Sequence, residues 1–464
     1  MRYLASCSAI AVSLAAGLPL SAFAVQPSGP QADVQCRYSH TLADDAIMMP
    51  GKAGMAMWHD FFGSTKTDAD STSDSLLANP ETTCNNLADH SAYWVPSLRL
   101  ENGTVVRPAY QKTYYQANNV QQFPLQPFPH GLELLVGDHQ GTKPTPGVVN
   151  YFCQGQGYSS VPFKNCTPYV PGKVQFNIAL AFPNCWDGKN LKPNKMLKNA
   201  VYAVNDACPA AYPVKIPTIN MNVAYEMNRD TPVDLSKAQL SLDPVMEGGK
   251  LVEKWGSIYT AHGDFMNGWT DQAATFMTDQ CMNNPMDCST NVAYSYSAPV
   301  AEGTAAADGS QDEHPTELLV RNDKKDPSRH KMAYIKFALP EWPADKDIDT
   351  DKEMVYRLRT VAGNVTDTTA GMIYFYQCSN DWLAENLSWK SRPACSAGSE
   401  TALYLDHIRQ YRYINVDALV RQAIRNQQTE ITFAVDANDS GRAFSIDSAE
   451  SKTPPLLMLT GYRK

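Results

Sequence analysis

Residues 317–339, ELLVRNDKKDPSRHKMAYIKFAL, decide the fold class. Glu317–Arg321 and Met332–Leu339 are strand-length runs of apolar, β-branched and aromatic residues, and a polar stretch carrying turn residues separates them. The same signature recurs at Met354–Thr360, Gly371–Tyr376, Glu430–Val435 and Pro455–Gly461. Val416–Arg425 interrupts the series, with apolar residues at 416, 419, 420, 423 and 424, the spacing of an amphipathic helix. Short strands with one helix predict a β-sandwich of about 170 residues.

Upstream the pattern is less regular. Gly131–Gly137, Lys173–Phe182 and Lys215–Tyr225 read as strands joined by long Pro/Asn/Gly-rich loops, and Gln272–Gln280 reads as a short helix. Ser295–Glu313 is small, polar and acidic, which predicts a boundary or an exposed entry loop. The expected fold is therefore mainly β: a loop-rich, disulfide-stapled β domain over residues 25–290, then a sandwich over 291–464. Residues 1–24 have the features of a secretory signal, with Arg2, an apolar Leu4–Leu20 stretch and Ala22-Phe23-Ala24 as cleavage site.

The cysteine count agrees with export. The 11 Cys include Cys7, which leaves with the signal, so ten remain. Locality proposes Cys36–Cys84, Cys153–Cys166, Cys185–Cys208, Cys281–Cys288 and Cys378–Cys395. None has the Cys-x-x-Cys spacing of a zinc site. The chain of 464 residues carries 39 Lys and Arg against 48 Asp and Glu, a net charge of −9, which argues against nucleic acid as a partner. No stretch of the mature chain reaches the roughly 20 apolar residues of a membrane span, so localisation is expected outside the cell, in the periplasm or at the cell surface.

Standard catalytic patterns are missing: there is no G-x-S-x-G, H-E-x-x-H, P-loop or dinucleotide fingerprint. Four clusters join polar and aromatic residues: His59-Asp60-Phe61-Phe62-Gly63, Tyr93-Trp94-Val95-Pro96, Asn184-Cys185-Trp186-Asp187-Gly188, and His262-Gly263-Asp264-Phe265-Met266-Asn267-Gly268-Trp269. A His beside an Asp suits a general base, or a metal ligand with its orienting carboxylate. The plainer reading is the stronger one: each His can bond a buried backbone carbonyl and each Trp can be core. The loop Arg321–Lys331 is cation-rich in an acidic protein, and it reads either as a binder of sugar carboxylates or as a solvated hairpin loop.

These clusters, with His40…Asp44-Asp45, Gly131…Gly137-Asp138 and Cys208-Pro209…Pro213-Val214, make the region from about Cys36 to Cys288 resemble the domain-of-unknown-function family numbered nineteen ninety-six. Members of that family carry His where this chain has Met57, Tyr212 and the run Lys195–Tyr202. If those positions build the family's centre, His40, His59 and His262 are what this chain keeps of it. The last 170 or so residues resemble carbohydrate-binding module family ninety-six (DNRLRE-type), through Leu318–Asp323, Ser328-Arg329, Ala333–Phe337, Leu387–Pro393, Val416–Val420 and Phe444–Glu450. That resemblance implies a jelly-roll sandwich and raises the weight of the cationic loop.

The leading expectation is an exported protein that binds an extracellular, acidic polysaccharide and modifies it in the enzyme version of the reading. Arg321, Arg329, Lys331 and Lys336 would engage sugar carboxylates, and Trp389 would stack on a ring. The enzyme version, a lyase or hydrolase, places His59, His262 and His40 with Asp60 and Asp264 in a cleft. No cofactor is required by the sequence, although this set leaves room for a divalent metal. The rival expectation is a structural cell-surface or matrix protein whose first domain has lost its His-based site.

Overall fold

The computed structural model describes residues 30–463 apart from 80, 118–123, 285, 311–314, 341–353 and 367. The signal segment 1–24, with Cys7, lies outside the described residues, as does part of the expected entry loop.

In the first domain the main strands are β1 (Gln31–Leu42), β2 (His59–Gly63), β3 (Ala92–Pro96), β4 (Tyr110–Gln116), β5 (Glu133–Gly137), β6 (Val149–Cys153), β7 (Lys173–Ala181), β8 (Thr218–Asn228) and β9 (His262–Met266). They hydrogen-bond in the order β5-β9-β3-β2-β1-β4-β8-β7-β6. Strand β1 serves two sheets. Residues 31–37 pair antiparallel with β4, and beyond an irregularity between Tyr38 and Thr41 the end of β1 pairs with β2. An irregularity of this kind bends a strand and lets it turn from one layer into another. The layers close on one core that includes Tyr93, Val95, Tyr115, Phe176, Ile219 and Phe265. A π-helical turn, Met277–Asn283, continues α1 (Asp271–Phe276), so the helix expected at 272–280 is present.

The second domain contains β10 (Ser295–Ser297), β11 (Pro299–Ala306), β12 (Glu317–Asp323), β13 (Lys331–Ala338), β14 (Met354–Asn364), β15 (Gly371–Cys378), β16 (Cys395–Leu405), β17 (Gln410–Asn415), α2 (Asp417–Arg425), β18 (Glu430–Ala437), β19 (Ser440–Asp447) and β20 (Leu456–Gly461). The order is β10-β20-β14-β19-β12-β13-β18-β15-β16, with β11 on β13 and β17 on β14. Strands β12 and β13 pair through Arg321 and Lys331 at the hairpin end. The path folds over there, and Val320, Ile335, Phe337, Tyr356, Phe375, Phe433, Phe444 and Leu457 fill the space between the layers. All six strands and the helix expected here are found.

The expectation for Ser295–Glu313 is corrected. Ser295–Ser297 pairs with β20, and Pro299–Ala306 pairs with β13 along nearly its whole length. Its small residues read as a loop because loops favour them. Here they let the strand lie close under other groups: a Cβ on Gly303 would stand 3.0 Å from Leu387, and Ala305 is fully buried.

All five disulfides proposed by locality close. The chain passes between the domains near Ala293 and Tyr294, and the two bodies interlock. Leu87 of the first domain sits in the second core and bonds Gly461, while Leu456 and Met458 reach the first core. Buried Arg359 bonds Gln280 and lies over the Phe276 ring, 5.2 Å from its centroid.

Candidate functional site

Successive side chains of a strand point to opposite faces. In β2, His59 and Phe61 therefore share one face, and Asp60 and Phe62 the other. Register carries the pattern across the sheet: His59 stands opposite Pro96, Phe61 opposite Trp94, Trp94 opposite Asp264, and His262 opposite Gly137. One face thus collects His59, Phe61, Trp94, His262 and Asp264. The segment after β1 covers it, with Ala46 and Ile47 packed against Phe61, Trp94 and Met266.

On this face one atom each from His59, His262 and Asp264 lie within 4.8 Å of one another. The imidazoles have fixed tautomers. His59 Nδ1 donates to the Asp44 carbonyl oxygen at 2.9 Å, and His262 Nδ1 donates to that of Thr260 at 2.8 Å. A carbonyl only accepts, so each Nε2 is left with a lone pair. Among the described residues, the buried atoms His59 Nε2, Asp264 Oδ2 and Trp94 Nε1 have no hydrogen-bond partner. Each such atom costs about 1–3 kcal/mol, and a cluster of them calls for an explanation other than packing.

Burial sets the protonation states. It pulls His59 and His262 down to about 4, His262 being lowered further by its neighbour His59, and it pushes Asp264 well above the ordinary carboxylate range. Asp45 is also raised by burial, an effect opposed by the Met48 and Ile47 amides that it accepts from. His262 is partly exposed, and exposed His139 stands beside it, with ring centroids 6.2 Å apart. Gly137 holds this edge together: its φ is +85°, and a Cβ there would meet the Ala261 carbonyl oxygen at 2.2 Å.

The remaining candidates fall elsewhere. Asp60 lies on the opposite face, where its carboxylate accepts from Thr41 at 2.6 Å and burial raises it to about 6, so it does not orient His59. Neighbours in a strand cannot form that pair. His40 stacks on Phe61 at 4.8 Å and uses both ring nitrogens, toward Ser39 Oγ and the Thr67 carbonyl, outside the cluster. The grouping of Cys36, Cys84 and Asp89 offers no thiolate, because both sulfurs are in a disulfide. The residues that sequence reading left out are His139, Trp94 Nε1 and the Asp44 and Thr260 carbonyls. Of these, only Asp44 and Trp94 stood in a quoted motif.

In the sandwich, β13, β18 and β15 turn Tyr334, Asp436, Tyr374 and Tyr376 away from the main core to one face, where Tyr334 is buried in a cluster with Trp382 and the other three are half-buried. Trp389 sits at its end, 4.8 Å from the His330 ring and with the Arg392 guanidinium 3.9 Å from its centroid. His330 is held by Asp436 at 2.8 Å. Arg329 is exposed and Lys331 half-buried on either side of His330 in sequence, whereas Arg321 is half-buried against Asp323 at 3.6 Å.

Lys336 differs from expectation. It is 8% exposed, donates to the Trp382 carbonyl at 2.9 Å and lies over the Trp382 ring, so its ammonium is committed inside the protein. Lys336→Met is expected to cost about 1–3 kcal/mol of stability and to leave retention on a polysaccharide gel unchanged. Denaturation and affinity electrophoresis of the same sample check both.

No helix among the described residues is long and apolar enough to cross a membrane. No curated protein matches the chain. Residues 45–269 match the family Domain of unknown function (DUF1996), and residues 298–461 match Carbohydrate-binding module family 96, so the loop-rich domain is similar to the first family and the sandwich to the second.

Proposed function

We propose that the protein is exported and binds an acidic extracellular polysaccharide through the outer face of its sandwich. The observation that carries this reading is Trp389: a partly exposed ring, braced by His330 and Arg392, at the end of a tyrosine-bearing face, with Arg329 and Lys331 flanking His330 in sequence. Aromatic faces stack on sugar rings, and cations take carboxylates by charge-assisted hydrogen bonds. The disulfides and the family of the second domain fit an extracellular setting.

Affinity electrophoresis through alginate, pectin and a neutral glucan at two salt concentrations tests the reading. Retardation is expected in the two acidic gels and weaker at high salt. Trp389→Ala is expected to abolish most of it, and Arg329→Ala with Lys331→Ala to reduce it selectively at low salt. Equal retardation in the neutral gel would remove the acidic ligand, and no retardation in any gel would remove the reading.

The cluster of His59, His262 and Asp264 favours a second reading, in which the first domain modifies the bound chain by hydrolysis or elimination. Incubation with an acidic-polysaccharide panel and analysis of products tests it; product formation that Asp264→Asn leaves untouched counts against it.

A further inference from the structure

We propose that His59, His262 and Asp264 form a binding site for one divalent transition-metal ion. Two imidazoles and one carboxylate make a donor set of nitrogen and oxygen that suits zinc and its first-row neighbours, whereas calcium and magnesium take oxygen almost alone. The three donor atoms are already within 4.8 Å of one another. Ligands about 2.0–2.2 Å from one ion stand a little closer together than that, a difference that small side-chain rotations cover.

Three features separate this cluster from a chance gathering of polar groups. The first is the pair of carbonyls, Asp44 and Thr260, that hold each imidazole with its Nε2 lone pair unprotonated. Histidines that ligate metals are oriented in this way by a hydrogen bond from the other nitrogen. The second is the two acceptors, His59 Nε2 and Asp264 Oδ2, buried without a donor among the described residues. A cation satisfies both together. The third is the scaffold: His262 and Asp264 lie two residues apart on β9 and His59 on β2, with β3 between them, so paired strands fix the spacing. Three protein ligands leave a coordination position open, where a water or a sugar hydroxyl can enter. The site needs neither His40 nor the family's His positions occupied here by Met57 and Tyr212. It is also independent of what the sandwich binds.

The test uses the full mature chain, stripped with a chelator and dialysed at pH 7.5. Zinc is titrated by calorimetry, and cobalt(II) by its visible absorption, with His407→Ala as an exposed control. One equivalent of zinc per chain is expected, together with cobalt bands of nitrogen and oxygen ligation and no thiolate charge-transfer band. Loss of an outer-shell partner already weakens metal sites by about 10–100-fold. Asp264→Asn and His262→Gln are therefore each expected to weaken zinc binding by at least about tenfold, while His407→Ala does not. Circular dichroism establishes that each variant is folded, and the cobalt spectrum of the wild type reads the ligand set without any variant. Uptake well below one equivalent by the stripped wild type overturns the proposal, as do wild-type titration curves from both folded variants.

Discussion

Gly63→Ala is expected to lower stability by roughly 3 kcal/mol or more, read from the shift of a denaturant midpoint. Two costs combine. Gly63 has φ +80°, a conformation that costs an L-residue about 1–2 kcal/mol. A Cβ there would also lie 2.0 Å from the Ser91 carbonyl oxygen, which is backbone and cannot rotate away. That oxygen accepts from the Ser64 amide at 3.0 Å, so moving it breaks the bond that turns the chain at the end of β2. Gly54→Ala is the control: φ is +72° and nothing lies within 4 Å, so only the first cost applies. If the two variants shift the midpoint equally, the close approach at Ser91 contributes nothing, and the explanation of the final Gly of His-Asp-Phe-Phe-Gly fails. The consequence reaches the candidate site, because β2 carries His59 four residues earlier.

Where side-chain pattern and structure report the same physics, the sequence was legible. The sandwich strands show because core positions such as Ile335, Phe337, Ile373 and Phe375 are apolar at strand spacing, and α2 shows because Val420 and Ala423 are its buried stripe. The disulfides followed from locality, since short separations are easily closed. Strand β11 did not show, because Ala301, Gly303 and Ala305 fit by being small, and its edge position is a matter of backbone pairing. Strands β2, β3 and β9 were noticed as motifs and not as strands. They are buried on nearly all positions, and the period that marks a half-buried strand is lost.

The candidate site was half legible for the same reason. His59, His262 and Asp264 were singled out as residues, but adjacency in sequence suggested Asp60 as the partner of His59. Pairing of β2 with β3 and β3 with β9 supplies Asp264 instead, about two hundred residues away. Lys336 shows the converse error. A Lys next to a cationic loop reads as a ligand-binding group, and only the fold reveals that the Trp382 carbonyl takes its ammonium.

Asp89→Asn is expected to change the pH dependence of folding by about 3 kcal/mol between pH 4 and pH 7. Asp89 is fully buried. It accepts from Ser91 N at 3.0 Å and from Tyr93 Oη at 2.6 Å, in a network that runs through Tyr115 to Trp269. Burial raises it to about 6 from 3.8, against the lowering effect of those hydrogen bonds. The folded protein therefore keeps this proton while the unfolded chain releases it at about pH 4. The stability from the raised value is fully present below about pH 4 and is lost as pH rises through about 6. Two units at 1.36 kcal/mol per unit give the stated size. Asparagine can accept from Ser91 and donate to Tyr93 without a charge, so the variant should be folded and should lack this slope. His59, His262 and Asp60 titrate in both proteins, and their contributions cancel in the difference. Denaturation of the two proteins at pH 4, 5, 6 and 7 reads that difference directly. Wild type should lose ground to the variant at each step up to about pH 6 and then hold level. A difference that does not vary with pH would mean that Asp89 ionises in the folded state as it does in the unfolded one. The Tyr93–Tyr115 pair would then face a carboxylate at neutral pH, and the hydrogen bonds from Ser91 and Tyr93 would outweigh the cost of burying its charge.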